Sequence, residues 1–405
     1  LRILFISPGN AIGGATISLL ETAKFLQQGG HTVFVAMPPS AEKNYEQQLR
    51  PFVKAFLFVP LMSWNRIQDI GFLREMKGWA ARIVKSRGGW LNAPFRIARF
   101  IRLHKIDLVH TNTIMALDGA LAAKIARVPH VQHLREITGY GPEALFPMLG
   151  QRRPWLFGWF WGQLHTVLIA NSLYTKKAYE PFVSGDKIRV VYNSVEASAG
   201  DTDCVRPSLQ TIGLVANITS RIKNHQLFIQ LAGRISQQMP ALNFVIFGKM
   251  PPENDPYLQR LRREITQQNL SDKLVFKGLC NDAGKMFGQI DLLIHTYPFE
   301  SFGRVFIEAM AHGVPVVAMR GGGADELITH HETGFLFEKN DFNTAAGFVQ
   351  ALAEDQALYA AVAQKGRLFA RQFRSEVTGQ DLLTVYYGIE KFRTSANGRA
   401  AKIVG

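Results

Sequence analysis

The chain has 405 residues, 47% of them hydrophobic and 19% charged, which is enough apolar material for two cores and too much for a disordered chain. Its two cysteines, Cys204 and Cys280, offer neither a disulfide framework nor metal-ligand spacing. The formal charge of +14 is lopsided: residues 1–195 hold 24 Lys and Arg against 11 Asp and Glu, and residues 196–405 hold 22 against 21, so the first half suits an anionic partner or presents a well-solvated helical surface.

Residues 2–7 (RILFIS) predict a short buried strand, residues 9–14 a Gly-rich turn, and residues 15–28 a helix ended by Gly29 and Gly30. A second strand over 31–37 completes a βαβ opening, so the strands are expected to run parallel. Strands follow at 55–59, 107–110, 130–134, 166–170 and 188–192, with helices such as 114–127 and 172–181 between them. Residues 196–208 are small and polar and predict a linker. The alternation then restarts: strand 211–216, helix 224–238, strand 242–247, helix 256–268, strands 274–276 and 291–296, helix 302–312 and strand 315–318. Residues 343–393 predict helices throughout. The expected organisation is therefore an N-terminal domain (1–195), a linker (196–208) and a C-terminal domain (209–375), with a helix near 376–393 completing the first domain. The apolar run 3–6 is too short for a signal peptide, and 154–170 is interrupted by Gly158, Gly162, Gln163 and His165, short of a membrane span. A soluble, cytoplasmic protein of a reducing compartment is expected, peripheral at the inner face of a membrane.

The most informative stretch is 299–319, FESFGRVFIEAMAHGVPVVAM. Glu300 precedes the predicted helix and Glu308 lies two turns into it. On one continuous helix they would be separated by roughly 12 Å of rise. Between them, the helix N-terminus offers free N–H groups and the positive end of the dipole, and Gly303 lets an anion approach. Such an element can hold a sugar, a diphosphate and a ribose in line; an amphipathic helix with two solvated glutamates has the same pattern.

Glu300 and Glu308, with Phe302, Gly303, Ala309, Met310, Gly313, Pro315, Val316 and Val317, resemble the E-x7-E region of family 4 retaining glycosyltransferases. The resemblance implies a GT-B fold, two doubly wound parallel-sheet (Rossmann-like) domains facing a cleft. It also implies a nucleotide-sugar donor and retention of anomeric configuration. Glu300 then holds the donor sugar and Glu308 the ribose hydroxyls, with Ser301, Phe302, Gly303 and Arg304 beside the donor. Gly13 and Gly14 fall in a loop (7–16) similar to the family's opening. The stretches 107–112, ending in Asn112, and 129–135 resemble two strand ends of its N-terminal domain. They place His133 as a catalytic residue facing the cleft and Asn112, Arg135 and Glu136 on the acceptor side. Gly278 belongs to a stretch resembling the one whose backbone reads the base. Residues 321–326 resemble the Gly-rich donor loop and 332–337 the turn after it. One region departs from the pattern: the place of the family's phosphate-binding Arg holds Asn217, while Lys223 fits its Lys and Arg221 lies closer to it.

The expected course is loss of the nucleoside diphosphate with attack by the acceptor hydroxyl on the same face. Lys223, Arg221 and helix N–H groups would stabilise the leaving group, with no metal or other cofactor required. The basic stretch 66–105, with Trp64, Trp79 and Trp90, and residues 152–161 (RRPWLFGWFW) suit an anionic membrane and a glycan or lipid-linked acceptor. Three other readings compete: a sugar-nucleotide epimerase of the same fold, a dinucleotide-binding dehydrogenase, and a non-enzymatic protein binding membrane or nucleic acid. The loop 9–14 lacks G-x-G-x-x-G spacing, against the dehydrogenase; surface binding needs neither glutamate, and no nucleic-acid partner is expected.

Overall fold

The computed structural model describes residues 1–9, 13–39, 44–61, 92–114, 116–137, 162–196 and 208–401, the last twelve by their backbone alone. All six tryptophans, the predicted linker from 197 to 207 and the basic residues between 62 and 91 lie outside the described residues.

The chain divides into two compact units, Val195–Arg374 forming one and Leu1–Ser194 with Ser375–Gly405 the other. The first unit is built on β1 (Arg2–Ile6), β2 (Thr32–Met37), β3 (Ala55–Phe58), β4 (Leu108–Thr111), β5 (His130–Leu134), β6 (Val167–Ala170) and β7 (Ile188–Val190), in the order β3-β2-β1-β4-β5-β6-β7. Every pairing is parallel. Parallel strands covered on both faces are expected to be continuously apolar, as β1 is. Its Ile3 and Phe5 join one core with Leu19, Ala23 and Leu26 of the helix Gly14–Gln28. Its Leu4 and Ile6 join the other, with Ile97, Ala98 and Ile101 of the helix Ala93–Leu103. The C-terminal helix, Ser375–Ala401, adds Leu382, Leu383, Tyr386 and Ile389 to the first of these cores.

The second unit repeats the plan with β8 (Thr211–Val215), β9 (Asn243–Phe247), β10 (Leu274–Gly278), β11 (Leu292–His295), β12 (Val316–Met319) and β13 (Phe335–Phe337) in the order β10-β9-β8-β11-β12-β13, again all parallel. In each unit the chain starts mid-sheet, builds to one edge, then crosses to the other side. The reversal falls between β1 and β4 and between β8 and β11, and the loops there diverge to leave a crevice at the strands' carboxyl ends.

Several elements differ from the sequence expectation. The helix expected over 302–312 spans Arg304–Ala311, because Gly303 before it takes φ +89°. Glu300 and Glu308 are therefore not on one continuous helix, and the 12 Å rise does not describe them. The helix expected from 224 begins at His225, since Asn224 takes φ +57°, and the one expected from 114 begins at Asp118. The stretch 332–337, expected as a turn, contains the edge strand β13.

Candidate active site

The reversal in the second unit brings together the loops that follow β8 and β11. Lys223 lies at the end of a short 3-10 turn, Arg221–Lys223, and Glu300 lies in the loop leaving β11. The two loops are tied by Thr296, whose Oγ1 donates to the Asn224 carbonyl at 3.1 Å. Lys223 Nζ then sits 2.5 Å from Glu300 Oε1 and 4.6 Å above the Tyr297 ring. His295, buried at the end of β11, places Nε2 3.1 Å from the same carboxylate oxygen. Its Nδ1 accepts the Tyr297 N–H at 3.4 Å, so Nε2 carries the proton and donates to Glu300. Burial alone would push the Glu300 carboxyl up. The Lys223 ammonium and the His295 imidazole outweigh that effect and hold it well below the usual carboxylate range.

The backbone of Glu300 is held from the other side by residues 321–323. Gly323 N donates to the Glu300 carbonyl at 2.8 Å. Gly322, at φ +59°, comes so close that a Cβ would stand 2.6 Å from that carbonyl oxygen. The glycine loop expected from the sequence thus braces the loop that carries Glu300. Three residues after Glu300, Gly303 caps the helix Arg304–Ala311, and a side chain there would strike the Phe306 ring. Arg304 and Glu308 lie one turn apart on that helix, with Arg304 Nη2 donating to Glu308 Oε1 at 3.0 Å. Both are half-buried, whereas Phe302 is buried and packs edge-on against Phe373 at 5.8 Å. Ser301 is half-buried in the same loop.

The remaining predicted residues of this unit do not converge on Glu300. Arg221 is exposed, 3.7 Å from Asp255 and 6.0 Å from the Tyr257 ring centre. Asn217 accepts the Lys249 N–H at 2.8 Å and so ties the β8 exit to the β9 exit. Gly278 ends β10 and accepts the Gly248 N–H at 2.9 Å. Sequence reasoning missed His295, Tyr297 and Thr296. The signal available was their position at the carboxyl end of the strand beside the reversal.

In the first unit the corresponding strand ends carry a buried polar network. Arg135, buried just beyond β5, donates through Nε to the Asn112 carbonyl at 2.9 Å and through Nη2 to Asn112 Oδ1 at 3.1 Å. Its Nη1 donates to Asn193 Oδ1. Asn112 Nδ2 in turn donates to the Ala15 carbonyl at 2.7 Å, in the first turn of the helix that Gly13 caps and Gly14 begins. Arg135 and Asn112, expected on the acceptor side, therefore brace the Gly-rich loop from within. His133 is buried, with Nδ1 3.4 Å from Arg135 Nη2 and 3.2 Å from His110 Nε2, while His110 Nδ1 meets the Tyr386 hydroxyl at 2.5 Å. Since Arg135 can only donate, His133 Nδ1 accepts and Nε2 bears the proton; that nitrogen is buried without a hydrogen-bond partner. Burial, reinforced by Arg135 and by a neighbouring histidine (His130 for His110, His110 for His133), holds His110 and His133 well below the usual histidine range, so both are neutral. Glu136, half-buried next to Arg135, accepts the Ile114 N–H at 3.2 Å, and burial pushes its carboxyl up to about 7. Among the described residues, no group of three His, Cys, Asp or Glu is placed to hold a metal ion, and no helix is long and apolar enough to cross a membrane.

A doubly wound pair of parallel sheets with a charged cluster at the second reversal is the GT-B architecture. Residues 208–369 match the family model of Glycosyl transferases group 1, and residues 12–199 match that of Glycosyltransferase Family 4. Together with the fold, these matches support a group 1/family 4 glycosyltransferase. The chain is 33% identical over 180 residues to N-acetyl-alpha-D-glucosaminyl L-malate synthase of Bacillus anthracis, covering 44% of this chain and 45% of that protein. It is 24% identical over 183 residues to the lipopolysaccharide core biosynthesis mannosyltransferase LpsB of Rhizobium meliloti, covering 44% of this chain and 52% of that one. The chain thus spans about half the length of these curated relatives. The crystal structure of Anabaena Alr3699/HepE in complex with UDP-glucose superimposes with a TM-score of 0.74 at 23% identity, covering 96% of this chain and 99% of that one.

Proposed function

We propose that the protein is a retaining glycosyltransferase. It moves a sugar from a nucleotide-sugar donor, bound by the second unit, to a hydroxyl of a glycan or lipid-linked acceptor taken by the first, in the synthesis of cell-surface polysaccharide or lipopolysaccharide. The observation that carries this reading is the Lys223–Glu300–His295 cluster at the reversal between β8 and β11. Lys223 has three N–H donors, and one pairing with Glu300 leaves donors for phosphate oxygens. The first turn of Arg304–Ala311 adds main-chain N–H groups and a positive dipole end. Glu300, kept ionised by its neighbours, accepts sugar hydroxyls, and Glu308, held by Arg304, accepts those of the ribose.

In the reaction, the acceptor oxygen forms a bond to the anomeric carbon as the bond from that carbon to the diphosphate oxygen breaks. The electron pair leaves with the diphosphate, and the acceptor proton passes to the departing phosphate oxygen on the same face. Lys223 offsets the charge that develops, and the reading requires no metal ion or other cofactor. In the first unit, His133 is assigned to catalysis through its Nε2–H and Glu136 to the acceptor side. The names of relatives in lipopolysaccharide core and capsular polysaccharide synthesis support the pathway, and a structural neighbour that binds UDP supports the donor class.

The test is calorimetry with nucleoside diphosphates and their sugars on the parent, Glu308→Ala and Glu300→Ala. Glu308→Ala is expected to weaken free nucleotide, and Glu300→Ala to spare it while weakening the sugar nucleotide. No binding of any sugar nucleotide by the parent, or identical binding by all three proteins, overturns the reading.

A further inference from the structure

The helix Ala93–Leu103 has a face that the proposed transfer reaction does not use. Its Ala93, Pro94, Ile97, Ala98 and Ile101 are buried in the first unit. The positions between them turn outward, leaving Phe95 64% and Leu103 73% exposed among exposed Arg96, Arg99 and Arg102, with exposed Lys105 just beyond. Residues 93–105 contain no Asp or Glu. Arg96 Nη2 donates to the Phe58 carbonyl at 3.2 Å, which brings the 39% exposed Phe58 of edge strand β3 to the border of the same surface. Arg102 Nη2 donates to the Ile125 carbonyl at 2.7 Å, so the guanidinium bases at both ends are anchored to the fold.

A solvated helix face mixes charge signs, and exposed large apolar side chains signal an interaction surface when they cluster, as Phe95, Leu103 and Phe58 do around one-signed charge. Here cations alternate with an aromatic and an aliphatic anchor, the arrangement suited to the boundary between phosphate headgroups and acyl chains. The geometry points to a docking surface for an anionic lipid bilayer, with Arg96, Arg99, Arg102 and Lys105 at the phosphates and Phe95 and Leu103 entering the apolar margin. A nucleic acid would answer the guanidinium groups and leave Leu103 and Phe58 in water. The inference does not depend on the proposed transfer reaction.

The experiment is sedimentation of the full chain with vesicles of phosphatidylglycerol and phosphatidylcholine, against phosphatidylcholine alone. The protein is expected to sediment with the anionic vesicles only and to be released by salt. Replacing Arg96, Arg99 and Arg102 by Gln lowers the partition coefficient on the order of a hundredfold, about fivefold for each cation. Because Arg96 and Arg102 also brace the fold, a second variant, Phe95→Ser with Leu103→Ser, changes only exposed side chains; it is expected to weaken binding and leave its salt dependence in place. Equal binding to both vesicle types, parent-like binding by the second variant, or retention on RNA without vesicle sedimentation overturns the inference.

Discussion

At the reversal in the second unit, Lys223 Nζ and His295 Nε2 both lie within 3.1 Å of Glu300 Oε1, with Lys223 and Glu300 partly open to solvent. At the matching reversal in the first unit, His110, His133, Arg135 and Asn112 are buried, and every interior partner of Arg135 named above is neutral. The strand order is the same; the use of the polar residues is opposite. One reversal carries an ion pair partly open to solvent, as the proposed diphosphate site requires. The other spends its donors on fixing the exits of β4, β5 and β7, and the His133 Nε2–H there is buried without a hydrogen-bond partner. The overall charge runs the other way, with the excess of +13 lying in residues 1–195 and the charged cluster in the half that is nearly neutral. Net charge is therefore a poor guide to where the charged cluster lies.

The sharpest way to break this contrast is to remove the cation of the second unit. Lys223→Ala leaves a developing diphosphate charge without its counter-charge, and turnover is expected to fall on the order of 10²–10³-fold. Arg221→Ala, which alters an exposed side chain turned to Asp255, is expected to stay near the parent rate. Steady-state rates with the donor identified by calorimetry decide. Equal damage from both substitutions would return Arg221 to the diphosphate and place the family's two cations on one turn.

A smaller effect is expected from the interior network of the first unit. Arg135→Ala deprives the Asn112 carbonyl and Asn193 Oδ1 of their donor in a buried site, at a cost of about 3 kcal/mol. Lysine cannot rescue it, because a single ammonium does not reproduce the planar fork that spans two asparagines. All six tryptophans fall in residues 1–195, so tryptophan fluorescence in a denaturant series follows the first unit, and circular dichroism follows both. A loss below about 1 kcal/mol, or full rescue by lysine, would show that the guanidinium is not the tie between these strand ends.

Much of the architecture was legible because parallel strands covered on both faces leave apolar runs such as residues 3–6 and 244–247, with helices between them. The two glutamates were legible through the resemblance of residues 299–319 to the E-x7-E region, since their spacing alone also fits a solvated amphipathic helix. What stayed hidden depends on which side chains meet once the chain turns. Gly303 has a positive φ, which no local pattern announces, and it starts the helix at Arg304, two residues later than expected. Arg221 and Lys223 are two residues apart, yet one faces Asp255 and the other Glu300, because the turn between them points their side chains differently. The three residues of β13 were too few to distinguish from a turn. His295 lacked any motif; only the sheet order places it beside Glu300.

The smallest effect concerns pH, and it separates the units by their buried histidines. His110, His133 and His165 are held well below the usual range by burial, and His130 is held down to about 3. The second unit has His225, lowered to about 4. A histidine neutral in the fold but titrating near 6.5 when unfolded contributes stability that is complete above 6.5 and drains away as pH falls below it, by about 0.8 kcal/mol each at pH 6.0. Glu136 works in the opposite direction: with its pKa raised to about 7, its burial penalises the fold at high pH, and roughly 1 kcal/mol of that penalty is relieved between pH 7.5 and 6.0. Four histidines against one glutamate leave the first unit a net loss of about 2 kcal/mol over that interval, against less than 1 for the second. The tryptophan melting transition is therefore expected to move to lower temperature on acidification faster than the overall circular-dichroism transition does. Glu136→Gln, which removes the one opposing group, is expected to widen the gap. Parallel shifts of both signals in the parent, with no change in the variant, would mean that these histidines take up protons inside the fold, and that the first unit's interior is less sealed than its hydrogen bonds indicate.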